Sequence, residues 1–276
     1  MFDLSRLSHK AGNYAEQKRL LTHALKLIRR RGDSLWTAVA LSTLSNANLR
    51  LRLFGEGIEQ AKEAAETFER LRDVARKRDS LIVLAHLLRE DNQLDAAEEV
   101  TLRVLGLSPE EDKGYHTCGC YRLLGDIYRF RGDMKKAVHH YKEGLQMGSL
   151  FNLPDQLFWI NQSLAQLFRD EDNFDDAHAH VKQAKTHALG DTFNLGCAMD
   201  THAKIWYRQR RFENAVSEAS NAVEAFEKVG ATRNLESSRT FLQTVRQAME
   251  SSPAIPGELA HISKVSFSNN TTFHAY

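Results

Sequence analysis

The sequence repeats itself about every forty residues, and this period constrains the fold more than any single motif in the chain. Leu84-Ala85…Leu88…Asn92…Leu94…Ala97 returns as Leu124-Gly125…Tyr128…Gly132…Met134…Ala137. It returns again as Leu164-Ala165…Phe168…Asp172…Phe174…Ala177, and once more as His202-Ala203…Trp206…Arg210…Phe212…Ala215. The alanines at 97, 137, 177 and 215 stand 40, 40 and 38 residues apart. A unit this short cannot bury its own hydrophobic face, so it must stack on its neighbours to make a continuous core.

Each copy carries two helical stripes. Tyr121, Leu124, Ile127 and Tyr128 fall at i, i+3, i+6 and i+7, one face of a 3.6-residue period. Arg131-Gly132-Asp133 interrupts the stripe, with Gly132 suited to the left-handed conformation that ends a helix. Met134, Ala137, Val138, Tyr141 and Leu145 form the second stripe. Small residues at 125 and 137 allow two backbones to approach, while Tyr121, Tyr128 and Tyr141 fill the gaps beside them. The pattern predicts an antiparallel helix hairpin.

These residues resemble the tetratricopeptide repeat. Tyr121, Leu124, Gly125, Tyr128, Ala137 and Tyr141 match its W-x2-L-G-x2-Y…A-x3-F pattern, and Pro109 stands where the preceding copy's closing proline belongs. The departures are the period, near 40 rather than 34, and weak matches at Asn161 and His202. The resemblance implies an all-α, right-handed solenoid of about six helix hairpins plus a closing helix, over residues 1–250. The repeats are expected near 1–32, 34–73, 78–109, 116–149, 154–188 and 194–230, with the closing helix at 231–250. Two early copies are looser: Leu41, Leu44, Asn48 and Leu51 precede Ile58, Ala61, Ala65, Phe68 and Leu71. Gly12-Asn13-Tyr14 with Leu21, Ala24, Leu25 and Ile28 reads as the turn and second helix of a repeat. The chain is therefore expected to start inside a repeat, as part of something longer; a solvated N-terminal helix is the alternative. In the closing helix Leu235, Phe241, Leu242 and Val245 are expected to turn inward. From Ser251 the period is lost and two prolines enter, which reads as a disordered tail over 251–276.

Composition narrows the function classes. Thirty-seven Lys+Arg against 36 Asp+Glu leave a formal charge of +1, so no overall field calls for nucleic acid or an anionic membrane. No apolar run reaches the ~18–20 residues of a membrane span, and three cysteines make no disulfide framework. With no signal-peptide core at the N-terminus, the expectation is a soluble cytoplasmic protein. The phosphate-binding, nucleophile-elbow and zinc-protease motifs are absent, so neither an enzyme nor a cofactor is expected. His116-x-Cys118-x-Cys120 lacks a second half and reads as helix packing, so no metal is expected. The remaining histidines, among them His139, His140, His178, His180 and His187, read as solvated outer surface. Three basic clusters, Arg29-Arg30-Arg31, Arg76-Lys77-Arg78 and Arg208-x-Arg210-Arg211, lie at helix ends, where cations complement the dipole. The first 50 residues carry 9 Lys+Arg against 3 Asp+Glu, which keeps a basic-surface nucleic-acid binder as an alternative of another class.

The repeat also serves as a ruler. Arg89, Arg129 and Arg169 stand 40 residues apart in phase near the ends of successive first helices. In tetratricopeptide arrays first helices line the concave groove, so the resemblance places this column near a ligand surface. Arg122 lies about two turns earlier on the same face, and Tyr207-Arg208 continues the column. Guanidinium groups grip carboxylates bidentately, which suits an extended acidic peptide. The competing explanation is pairing with nearby acids such as Asp91, Asp133, Asp170, Glu171 and Asp172. The Lys-x3-Asn clamp of chaperone co-factors has no counterpart: its positions hold Ile82/His86, Arg122/Asp126, Gln162/Gln166 and Asp200/Lys204. The expected function is a non-catalytic protein-interaction scaffold that takes a peptide or partner protein in its groove. Arg89, Arg122, Arg129, Arg169 and Arg208 are the candidate contacts, with Trp159 and Tyr207 as stacking anchors. An alternative is a regulatory array like those at the C-terminus of fungal signal-transducing ATPases, which the texture of the repeats resembles. Self-association through Phe2 and Tyr14 at an open N-terminal face is a further expectation.

Overall fold

A computed structural model describes residues 14–107, 113–188 and 190–251. The expectations placed on Phe2, Gly12, Asn13, Pro109 and the tail from 252 onward lie outside the described residues. Among the described residues there are twelve helices and no strand: α1 (Tyr14–Arg30), α2 (Ser34–Leu51), α3 (Phe54–Arg70), α4 (Val74–Glu90), α5 (Leu94–Leu107), α6 (Lys113–Phe130), α7 (Met134–Leu150), α8 (Pro154–Asp170), α9 (Phe174–His187), α10 (Thr192–Arg208), α11 (Phe212–Lys228) and α12 (Thr232–Ser251). Each packs on the next, and α2, α4, α6, α8 and α10 also touch one another in succession. These first helices form the inner layer of a solenoid, and the second helices stand outside them.

The joints show why the chain turns where it does. Arg52, Asn92, Gly132, Asp172 and Arg210, one after each first helix, have φ of 59°, 60°, 79°, 57° and 61°. Gly32, Arg72, Asn152, Gly190 and Gly230 do the same after second helices, at φ of 70°, 56°, 51°, 79° and 68°. The next backbone N–H then reaches back five residues: Leu53 N to Asn48 O at 2.9 Å, Gln93 N to Leu88 O at 2.8 Å and Asp133 N to Tyr128 O at 2.9 Å. This closes the last helical carbonyls and aims the following helix antiparallel. Arginine in this conformation costs about 1–2 kcal/mol relative to glycine, so the turn geometry is imposed at Arg52, Arg72 and Arg210 by packing rather than by residue preference. Side-chain caps start the next helices: Asp33 accepts from Trp36 N at 3.1 Å, Asp73 from Arg76 N at 3.0 Å and Asp133 from Lys136 N at 3.1 Å.

The core is the column of small residues inside each hairpin. Ala61, Ala97, Ala137, Ala177 and Ala215 are each wholly buried, as are Ala85, Ala165 and Ala203 on the facing first helices. The middle repeat departs from this pattern in a matched pair. Tyr141 stands where the other second helices carry Ala61, Thr101, Val181 and Ala219, and the first-helix residue against it is Gly125. A Cβ at 125 would sit 2.5 Å from two ring carbons of Tyr141, which is itself fully buried. The extra volume of the tyrosine is therefore taken from its neighbour.

The weak repeat positions hold polar networks. Asn161, 4% exposed, donates to Leu157 O at 2.8 Å, and its Oδ1 meets His180 Nδ1 at 2.8 Å. His202 Nδ1 lies 2.8 Å from Glu218 Oε1, and its Nε2 lies 3.0 Å from His178 Nδ1. The reading of the histidines as solvated surface is thus corrected for His140, His178 and His180. They are partly buried and stack on Tyr128, Trp206 and Phe168 at ring separations of 5.2, 4.1 and 5.4 Å. The outer helices bring them against aromatic residues of the inner layer, a contact that no single-helix pattern reveals.

Gly125→Ala separates two effects of opposite sign. Alanine is favoured over glycine inside a helix by about 1 kcal/mol, while forcing a methyl into a packed core costs about 1–3 kcal/mol. With a rigid buried ring at 2.5 Å the second effect wins. Urea unfolding of Gly125→Ala is expected to show a net loss of about 1–2 kcal/mol.

Candidate binding cavity of the inner layer

Asp126 on α6 anchors the inner surface. It is 7% exposed, and four side chains converge on it. Arg89 Nη1 from α4 donates to Oδ2 at 2.6 Å, and Arg122 Nη1, one turn before it on α6, donates to the same oxygen at 3.2 Å. Tyr141 Oη donates to Oδ1 at 2.7 Å and Ser163 Oγ at 3.1 Å. Burial acts to raise the Asp126 carboxyl, but the Arg89 and Arg122 charges and the Tyr141 hydrogen bond outweigh it and hold the group below its ordinary value. The Tyr141 phenol is pushed up by burial and by the same carboxylate, so it remains a donor.

Beside this cluster the inner layer encloses about 470 Å³, lined by Leu49, Arg50, Arg52, His86, Arg89, Glu90, Arg122, Trp159 and Arg233. Five guanidinium groups from α2, the joint after it, α4, α6 and α12 face one space. Glu90 and Asp126 answer the charges of Arg89 and Arg122. Arg50, Arg52 and Arg233 have no ion pair among the described residues; Arg52 lies 5.5 Å from the centre of the Phe54 ring. Arg233 Nη1 donates to Arg50 O at 3.0 Å across 183 residues of sequence. The solenoid curls far enough for the start of its closing helix to meet the end of α2, so Arg233 joins the lining of the groove. His86 adds no charge at neutral pH, because burial, then the Arg89 and Arg122 charges, hold its imidazole well below the ordinary value. The Nε atoms of Arg89 and Arg122 are buried without an acceptor.

Of the residues singled out from the sequence, Arg89, Arg122 and Trp159 line this cavity, with Trp159 36% exposed. The others lie elsewhere along the inner layer. Arg129 donates to Gln166 Oε1 at 3.2 Å and lies 4.0 Å from Asp170. Arg169 turns to Asp170 at 2.6 Å, and Arg208 pairs with Asp172 at 2.7 Å. Tyr207 packs against Phe212 and Phe241 at 5.8 and 5.6 Å. The in-phase column has a structural logic of its own. Arg89 to Asp126 and Arg129 to Gln166 both span 37 residues, so each bond ties one hairpin to the next. Arg50, Arg52, Arg233 and His86 escaped the sequence reading. Arg50 sits one residue out of the Arg89 phase, and Arg233 belongs to a helix outside the repeat.

The His116-x-Cys118-x-Cys120 motif is absorbed by packing. Cys118 donates to Gly144 O at 3.2 Å, and burial pushes the Cys118 and Cys120 thiols up to about 11 and about 12. Both are neutral at physiological pH.

No sequence-family model and no curated protein matches the chain. Solved structures do match its fold. A Rap protein complexed with competence and sporulation factor aligns over 90% of this chain and 74% of its own, at 14% identity and a TM-score of 0.64. Aspartyl phosphate phosphatase F from Bacillus subtilis aligns over 91% and 70%, at 11% identity and 0.62. A signal-transduction ATPase with numerous domains from Pyrococcus horikoshii, carrying a tetratricopeptide repeat sensor, aligns over 95% of this chain and 43% of its own, at 14% and 0.59. The fold is a tetratricopeptide-like solenoid.

Two measurements probe the cluster. Asp126→Asn leaves Arg89 and Arg122 without a carboxylate between them, and removing one partner of a buried pair costs about 3–5 kcal/mol. Because both arginines keep some exposure and Arg89 keeps Glu90, urea unfolding is expected to show a loss on the order of 3 kcal/mol. Acid sensitivity falls in two windows. His86, His140, His178 and His180 all have lowered values, with burial as the leading cause. Their unfolded counterparts take up protons first, so stability is full above about pH 6.5 and falls as pH drops below it. Asp126 stays ionised there and contributes its loss only below about pH 4. The urea midpoint is expected to fall between pH 7 and 5, and His86→Gln should flatten that slope.

Proposed function

We propose that this chain is a non-catalytic interaction scaffold that binds an acidic peptide segment of a partner protein in its inner cavity. The observation that carries this reading is the convergence of Arg50, Arg52, Arg89, Arg122 and Arg233 on one concave space, with three of the five unpaired among the described residues. Guanidinium groups without a carboxylate partner suit an anionic ligand, which supplies the counter-charge. The arginines come from separate turns of a rigid stack, which suits an extended ligand read at several points.

The chemistry around the cavity supports binding rather than turnover. Asp126 is committed to four donors, His86 is held neutral, and the Cys120 thiol that lines the adjoining space with it is neutral as well. A local set of guanidinium groups in a concave space also fits a peptide better than a nucleic acid, which wants a continuous basic face with aromatic platforms. The Rap structure complexed with competence and sporulation factor is a precedent for a ligand on a similar solenoid. No helix among the described residues is long and apolar enough to cross a membrane. A cytoplasmic setting remains part of the proposal.

The test uses dye-labelled twelve-residue peptides sorted by net charge, with binding read by fluorescence anisotropy. Affinity is expected to rise with acidic content for the wild type. Arg50→Ala/Arg233→Ala removes two unpaired cations while leaving Asp126 and its partners in place. At about tenfold per lost contact, or 1.4 kcal/mol each, the double variant should bind about a hundredfold more weakly. Equal binding by the folded double variant would overturn the assignment.

A further inference from the structure

A smaller cavity opens beside the arginine-lined one, and the two share His86 and Arg122. It encloses about 200 Å³ among α4, α5, α6 and the start of α8. Its walls include Val104, Cys120 and Leu123, each at most 3% exposed. The Cys120 thiol is neutral, so these walls carry no charge. Polar side chains interrupt this apolar stretch: His86, Thr101, His116, Arg122 and Gln156 also line the cavity. Gln156 is 7% exposed, lines the cavity, and its Oε1 has no hydrogen-bond partner. A buried acceptor left without a donor is desolvated with nothing in return, so the position favours a ligand that brings a donor. Gly119 lines the cavity next to this oxygen: a Cβ there would come within 4 Å of a single atom, Gln156 Oε1 at 3.7 Å.

Size and polarity together select an occupant. A dry apolar cavity of about 150 Å³ accepts a benzene ring, so a space of about 200 Å³ accepts one ring with a small substituent. The ring must carry a donor for Gln156, and it must hang from something anionic, because the cavity's other side opens toward Arg122 and the arginine cluster. We propose that this pocket seats a tyrosine side chain of the same acidic peptide. The ring lies against Val104, Cys120 and Leu123, the phenol hydroxyl donates to Gln156 Oε1, and neighbouring carboxylates face Arg50, Arg122 and Arg233. This inference rests on the binding reading above and deepens it from acidic peptides in general to those with a tyrosine beside the acids.

The experiment compares three labelled acidic peptides that differ at one position, tyrosine, phenylalanine or alanine, against the full chain. For the wild type the tyrosine peptide is expected to bind at least tenfold more tightly than the alanine peptide, with phenylalanine between. Gly119→Leu fills the pocket where there is room for it, and leucine is a better helix former than glycine, so the variant is expected to fold. It should reduce the tyrosine peptide to the level of the alanine peptide and leave the latter unchanged. Gln156→Leu should erase the preference for tyrosine over phenylalanine. Equal binding of all three peptides by the wild type, or an unaffected tyrosine peptide in Gly119→Leu, overturns the pocket and leaves the acidic-peptide reading standing. If no acidic peptide binds, that broader reading fails instead, and p-cresol alone then judges the pocket through the melting temperature. A rise in the wild type that Gly119→Leu abolishes supports the tyrosine site, whereas the absence of a rise overturns it.

Discussion

The structure depends most on the carboxylate of Asp126, because it reaches three hairpins at once. Tyr141 is its partner within its own hairpin, Arg89 belongs to the one before and Ser163 to the one after. Solenoids are held by nearest-neighbour interfaces, so a group that bonds forward and backward sets the angle at which successive units stack. That angle, propagated along the chain, decides whether α12 can return to the end of α2. The contact between Arg233 and Arg50 O shows that it does. The buried charge is costly in isolation and is tolerated because its oxygens are filled by donors and two of those donors are cations.

The same cluster sets the electrostatics of the cavity. Arg89 and Arg122 are held in place by Asp126, so their charges are largely spent within the protein. Arg50, Arg52 and Arg233 are brought to the same space by curvature rather than by pairing. The result is a floor held by Asp126 with unpaired cations at its rim, and next to it a largely apolar pocket in which Gln156 Oε1 has no partner. The two spaces differ in character and are joined through His86 and Arg122, and the proposed peptide draws on that arrangement.

Much of the fold was legible because its causes are local. The forty-residue period, the alanine column and Gly132 at a left-handed joint follow from helix geometry and close packing, and they sit where the pattern indicated. The joints at Arg52, Arg72 and Arg210 were less legible, since arginine does not advertise a positive φ. The histidines were misread because a helix pattern shows which residues share a face but not what lies opposite. His140, His178 and His180 meet aromatic rings from other helices. The arginine column was found by phase, yet phase does not separate the member that faces the cavity, Arg89, from Arg129 and Arg169, which lie further along the stack.

The sequence by itself determined the helical solenoid, its repeat length and its small-residue core, because each of these is set by interactions within one unit or between identical neighbours. Tertiary structure alone decided the cavity. Arg50 and Arg233 are 183 residues apart, and their meeting depends on the accumulated rotation of every hairpin between them. That rotation is a sum of many small packing angles, and no residue or motif encodes a sum.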